Sequence, residues 1–197
     1  MKNKILLTGL ILLLLVIGYI FCFSTTKTKE IKEQIVYLEN SNNLLKHSLY
    51  QTVMYGKETI NSTIKTSEGI VPLSKIIDMN TIVFRFSENS CNSCLKRELS
   101  NISHIEKQGI PVLIIATYSN KRELRLLLEK YDIKSKYLLL DAKQYLFAFE
   151  DVSSDLFLFI LTPGLQVNYL FFPVQTDTSL SYEYFKFIEF IYKENRR

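Results

Sequence analysis

Phe84-Arg85-Phe86-Ser87-Glu88-Asn89-Ser90-Cys91-Asn92-Ser93-Cys94 is the stretch on which the reading of this chain turns. The residues leading into it, Thr81-Ile82-Val83-Phe84, are β-branched and aromatic with no glycine or proline, the composition of a buried strand. A polar loop follows, and then two cysteines three apart. Beyond them Leu95, Leu99, Ile102 and Ile105 recur at helical spacing, so the pair falls on the first turn of an amphipathic helix. A helix N-terminus carries unpaired N–H groups and about half a positive charge, which favours a thiolate over a thiol. The thiolate is the attacking species in disulfide exchange, and such settings lower a cysteine pKa from ~8.5 to roughly 3.5–7.5. The three-residue step also lets Cys94 reach back and resolve a mixed disulfide on Cys91.

Around this motif the composition is that of a globular protein, 47% hydrophobic and 22% charged over 197 residues. A formal charge of +4 with no basic cluster gives no case for nucleic acid. Three cysteines are too few for a disulfide scaffold. The N-terminus is apolar and uncharged from Ile5 to Phe23, about 28 Å of helix at roughly 1.5 Å per residue, the thickness of a hydrocarbon core. A cleaved signal peptide would have a shorter apolar core and a small-x-small site, which only Ser24-Thr25-Thr26 approaches. Cys22 follows Phe21, where a lipoprotein signal needs a small residue. Residues 1–25 therefore read as a transmembrane signal anchor. The expected location is the cytoplasmic (inner) membrane, single-pass, with the domain facing the periplasm or cell exterior.

Residues 26–56 read as a helical stalk. Ile31, Ile35, Leu38, Asn42, Leu45 and Leu49 alternate steps of four and three, a heptad seam, and an asparagine on a seam sets register in parallel coiled coils. A parallel homodimer through residues 31–49 is one reading; a single amphipathic helix is the other. From residue 57 to 197 the pattern is α/β. After a strand entry at Gly69–Ser74 and the strand and helix of the motif, Gln108-Gly109 stops the helix and Ile110–Ala116 reads as a strand covered on both faces. Asn120 with Glu123 caps a helix carrying Leu124, Leu127, Leu128 and Tyr131. Tyr137–Leu140 predicts a strand and Lys143–Phe149 a short helix. Leu156–Leu161 and Val167–Phe172 form a hairpin about Thr162-Pro163-Gly164, and Ser181–Lys193 a closing helix. The order is βαβαβαββα, a mixed sheet flanked by helices.

A strand, Cys-Asn-Ser-Cys on a helix start, a βα unit, a hairpin and a closing helix together resemble a thioredoxin-like fold. More narrowly, the chain resembles the membrane-anchored extracytoplasmic thiol-disulfide oxidoreductases of the TlpA and ResA kind, over residues 57–197. The resemblance implies Cys91 as nucleophile and Cys94 as buried resolving thiol. It implies a cysteine-containing exported protein as substrate and an upstream membrane electron donor or acceptor as partner. No cofactor or resident metal is expected. Three positions depart from the family. Ser90 stands where a tryptophan usually precedes the first cysteine. Arg85 stands where thioredoxins carry a buried acid, and its charge is expected to stabilise a thiolate while accepting no proton; Glu88 is the nearest alternative base. The family's cis-proline position falls at Asp155, beside Ser154.

The expected function is membrane-tethered thiol-disulfide exchange, reducing rather than oxidising. A second reading is an interaction domain with a structural disulfide, in which the stalk and the aromatic hairpin Tyr169-Leu170-Phe171-Phe172 recruit a partner. A third is a metal carrier using Cys91 and Cys94, which needs further ligands. His104 lies about 20 Å along the helix from Cys91 and nearly opposite Leu95 and Leu99, which makes it a surface residue.

Overall fold

The computed structural model describes residues 60–141, 144–147, 150 and 156–194, with helical residues interspersed between Phe23 and Asn42. The chain divides into two units, Met1–Leu45 and Lys46–Arg197. In the first, Ile31, Ile35 and Leu38 of the seam are helical and expose about half their surface or more, at 52%, 49% and 64%. Asn42 is helical and exposed as well, and the seam positions Leu45 and Leu49 lie outside the described residues. Among the described residues no helix is long and apolar enough to cross a membrane; the Ile5–Phe23 run lies outside them except for Phe23 itself.

The second unit begins with a hairpin, β1 (Thr63–Thr66) against β2 (Gly69–Pro72), and a 3-10 turn at Leu73–Lys75. There follow β3 (Thr81–Ser87), α1 (Asn92–Lys107), β4 (Val112–Thr117), α2 (Lys121–Lys130), β5 (Lys136–Leu139), β6 (Phe157–Leu161), β7 (Val167–Phe171) and α3 (Thr178–Glu194). The main sheet has the order β5-β4-β3-β6-β7. β3, β4 and β5 run parallel, and β6 and β7 each run antiparallel to the preceding neighbour. Two successive crossovers that step the same way across a sheet put both helices on one face, given the right-handed rule. On that face Ile82, Phe84 and Phe86 of β3 pack with Cys94, Leu95, Leu99, Ile102 and Ile105 of α1, Leu124 and Leu128 of α2, and Phe185 and Ile188 of α3. The opposite face collects Val83, Ile115, Phe157, Phe159 and Leu161 against Ile60, Ile64, Leu73, Ile77 and Phe147. β3 is thus buried on both sides, which is why Ile82, Val83 and Phe84 run apolar without alternation.

β3 extends past Phe84 to Ser87, with every residue buried, although it contains an arginine. Register explains how. Arg85 stands opposite Ile115 and Phe157, so it faces the second core, away from α1. There its Nε donates to Glu150 Oε2 at 2.9 Å and its Nη1 to the Phe86 carbonyl at 2.6 Å. Both side chains are buried. Glu150 also accepts from the amides of Leu146 and Phe147, at 2.6 and 2.9 Å. Burial pushes the Glu150 carboxyl up, and the guanidinium and these amides pull it back. The same bonds correct one expectation. The helix expected over Lys143–Phe149 does not form in Gln144–Phe147, where the Leu146 and Phe147 amides serve the Glu150 carboxylate instead of carbonyls one turn earlier.

α3 starts three residues before the expected Ser181, because Asp177 accepts from the Ser179 amide at 2.9 Å and its hydroxyl at 2.6 Å. One face of the aromatic hairpin, Tyr169 and Phe171, packs against this helix, and the other, Leu170 and Phe172, enters the second core. Leu170 and Phe172 are buried, and Phe171 stacks on Tyr184 at 4.5 Å.

Removing one member of a buried ion pair strands the other. Arg85→Met is therefore expected to cost about 3–5 kcal/mol of folding free energy. The double variant Arg85→Met/Glu150→Gln should recover most of that loss. Equilibrium urea unfolding of the three proteins measures both.

Candidate functional site

The turn between β3 and α1 is built from its own polar side chains. Ser87 N–H donates to Ser90 Oγ at 2.9 Å, Ser90 N–H to the Ser87 carbonyl at 3.1 Å, and Asn89 N–H to Ser87 Oγ at 3.2 Å. Ser90, in the position where a tryptophan was expected, closes this turn. Glu88 is pinned sideways to the next loop, accepting from the Ser119 amide at 2.8 Å and the Ser119 hydroxyl at 2.7 Å. Those two bonds hold its carboxyl below the ordinary range. A carboxylate so stabilised is a poor proton acceptor, which removes Glu88 as the alternative base.

The turn delivers Cys91 as the N-cap residue of α1, with its carbonyl accepting from Leu95 N–H at 2.8 Å. No side chain caps the helix there, so the first-turn amides are open to a negative charge at the sulfur. Cys91 is exposed, with Sγ 3.2 Å from Ser93 Oγ. Its pKa is lowered to about 7, chiefly by the Ser93 hydroxyl and then by the Cys94 thiol and amide. One turn further in, Cys94 is 3% exposed and belongs to the core. Burial pushes its thiol up to about 11, helped by the hydrogen bond and charge of Cys91 and the charge of Glu98, and opposed by Arg97. Both cysteines are free thiols. The arrangement sets an exposed, ionisable sulfur beside a buried, protonated one.

The structure moves Arg85 out of this site. The expectation that its charge stabilises the thiolate is corrected: it lies on the far face of the sheet and is neutralised by Glu150. His104 is exposed and bonded to Gln108, 2.9 Å away on its own helix. Among the described residues no group of three histidine, cysteine or acidic side chains could hold a metal ion. Ser154 and Asp155 lie outside the described residues.

Two side chains escaped the sequence reading. Ser93 carried a weak signal, a hydroxyl inside the Cys-x-x-Cys loop. Glu98 carried a better one, since it falls between Leu95, Leu99 and Ile102 on the buried side of α1.

No protein-family model matches this chain, and neither does the sequence of any curated protein. Solved structures do match. A candidate protein disulfide isomerase from Bacteroides thetaiotaomicron has a TM-score of 0.50 at 14% identity, over 68% of this chain and 87% of that one. A yeast mitochondrial 1-Cys peroxiredoxin also gives 0.50 at 14% identity, over 72% and 78%. A thiol:disulfide interchange protein from a Bacteroides species gives 0.44 at 12% identity, over 58% and 80%. The fold is thioredoxin-like, a mixed α/β sheet flanked by helices.

Because the Ser93 hydroxyl is the main stabiliser of the Cys91 anion, Ser93→Ala raises the Cys91 pKa. At pH 6 its alkylation by iodoacetamide should slow by about threefold to tenfold, since one pKa unit is tenfold in thiolate. In the parent chain the rate should climb between pH 6 and 8 and then level off, the sign expected of a lowered thiol pKa. Peptide mass analysis after timed quenching follows Cys91 separately from Cys94.

Proposed function

We propose that this chain is a membrane-tethered thiol-disulfide oxidoreductase that reduces disulfides in exported proteins. The observation that carries the reading is the asymmetry of the dithiol: Cys91 is exposed with a pKa of about 7, and Cys94 is buried with a pKa of about 11. The Cys91 thiolate attacks a substrate disulfide, forming a Cys91–substrate bond and releasing one substrate thiolate. Cys94, deprotonated, then attacks the Cys91 sulfur. The Cys91–Cys94 disulfide forms, the second substrate sulfur leaves as thiolate and takes up a proton, and two electrons have passed to the substrate.

The reducing direction rests on the moderate Cys91 shift. A pKa of about 7 stabilises the reduced form modestly, whereas strongly oxidising dithiols have thiolates near 3.5. The thioredoxin-like fold supports exchange chemistry in general. The tether is the apolar run Ile5–Phe23, the domain lies on the periplasmic or outer side of the cytoplasmic membrane, and an upstream membrane donor returns the electrons. Residues 31–49 pair two chains in parallel through the seam of Ile31, Ile35, Leu38 and Asn42.

A glutathione titration of the full-length chain in detergent micelles, read by alkylation and mass, tests this. A reversible two-electron couple is expected between about −270 and −120 mV, toward the negative end. Cys91→Ser should abolish it. Cys94→Ser should instead accumulate a mixed disulfide with glutathione on Cys91. A far lower potential, with no exchange on a model disulfide, would mean that the pair is a structural staple.

A further inference from the structure

Glu98 is completely buried, yet it is an acid on the helix that carries the dithiol. It lies four residues after Cys94, the spacing that puts two side chains on one helical face roughly 5–6 Å apart at Cβ. Its carboxylate is held from three directions. Arg97 Nε donates to Oε1 at 2.6 Å, Ser181 Oγ of α3 donates to Oε1 at 2.7 Å, and Asn101 Nδ2 donates to Oε2 at 3.1 Å. Arg97 in turn donates to the Val174 carbonyl at 3.0 Å, tying the loop before α3 to the same turn of α1. Three donors keep the anion in place, and none of them is Cys94.

Other groups approach Cys94 as follows. Cys91, Arg97 and Glu98 act on it from its own helix. α3 and the loop before it bring Tyr184 toward Glu98 and Asp177 toward Arg97. β3 offers Phe84 and Phe86, since Arg85 faces the other way. When Cys91 enters a mixed disulfide it loses its negative charge and its capacity to hold the Cys94 proton. The two influences it exerts on Cys94 then vanish together. Burial and the Glu98 carboxylate are what remain against the thiolate, with Arg97 opposing them.

Resting on the reading of this chain as an oxidoreductase, we propose that Glu98 is a positioning residue that paces the second half of the exchange: its fixed, buried negative charge, one helical turn from Cys94, holds back the resolving thiol and prolongs the mixed disulfide with the substrate. The bonds made and broken are those already given, and Glu98 takes no proton. Arg97 works in the opposite sense, so the pair sets the pace between them.

The test uses the full-length reduced chain and a chromogenic aromatic disulfide, which releases one coloured thiolate when Cys91 attacks and a second when Cys94 resolves. A first burst in the parent chain, absent from Cys91→Ser, establishes the exchange itself. Without that burst the oxidoreductase reading fails and Glu98 is not at issue. With it, Glu98→Gln should leave the first phase within about twofold and speed the second. Each unit by which the Cys94 pKa falls is worth roughly threefold to fourfold, tenfold in thiolate less the loss of nucleophilicity. The pH profile of the second phase alone should move to lower pH. A merely structural role would not move that profile selectively. An unchanged second phase, or a slower one as expected of a proton acceptor, overturns the proposal. If Glu98→Gln fails to fold, Arg97→Gln decides the matter: removing the cation should slow the second phase, and an unchanged or faster phase overturns the proposal.

Discussion

Cys91 must end one structural regime and Cys94 must begin another, within a single turn of helix. That constraint governs the rest of the site. Cys91 and the first residues of α1 are exposed to water, while Cys94 and Leu95 are packed with Phe84 and Phe86. Two identical thiols therefore meet opposite electrostatics. One has open amides and a serine hydroxyl to receive a negative charge; the other has phenyl rings and aliphatic side chains that give a charge nothing. Any change that tilted α1 out of the core would shrink the difference, since it depends on depth together with the Ser93 hydroxyl.

The sheet supports this by being closed on both faces. Burying an arginine in its central strand looks like a liability, and it is tolerated because Glu150 meets the guanidinium in good geometry while the Leu146 and Phe147 amides complete the carboxylate's bonding. The pair fastens the long connection between β5 and β6 to the underside of the sheet, the side away from the thiols. Its role is architectural. The position that carries a proton-handling acid in thioredoxins thus carries a clamp in this chain.

Much of this was legible in the residues. Periodicity of two or of 3.6 found β3, α1, β4, α2 and the terminal hairpin, because their apolar spacing is dictated by packing on one sheet. The depth of Cys94 was expected only from the resemblance to thioredoxin-like proteins, and the structure places it in the core beside Leu95 and Leu99. What escaped has a common physical cause. Whether Arg85 faces the thiols or the opposite core depends on register with β4 and β6, and no local pattern encodes the whereabouts of an ion-pair partner 65 residues away. The expected helix at Gln144–Phe147 is lost because the Leu146 and Phe147 amides bond Glu150, whose carboxylate is fixed by Arg85 of the central strand. Glu98 was visible as an acid in an apolar phase, but its meaning required Ser181, 83 residues downstream on another helix.

In the proposed exchange, the order of events follows from the same depth difference. At neutral pH Cys91, lowered to about 7, is the readily ionised thiol, and Cys94, pushed up to about 11, is the protonated one. Cys94 cannot compete for the substrate while Cys91 is free, partly because the Cys91 anion itself holds the Cys94 proton. Forming the mixed disulfide removes that anion, so the first step relieves the restraint on the second. A dithiol arranged this way needs no moving part to run in sequence; consumption of the outer charge is the signal. Burial alone would then leave the pace of resolution to chance packing around one sulfur. On the proposed pacing role of Glu98, a fixed carboxylate and guanidinium one turn away make it a property of two side chains, each shifting the rate in its own direction.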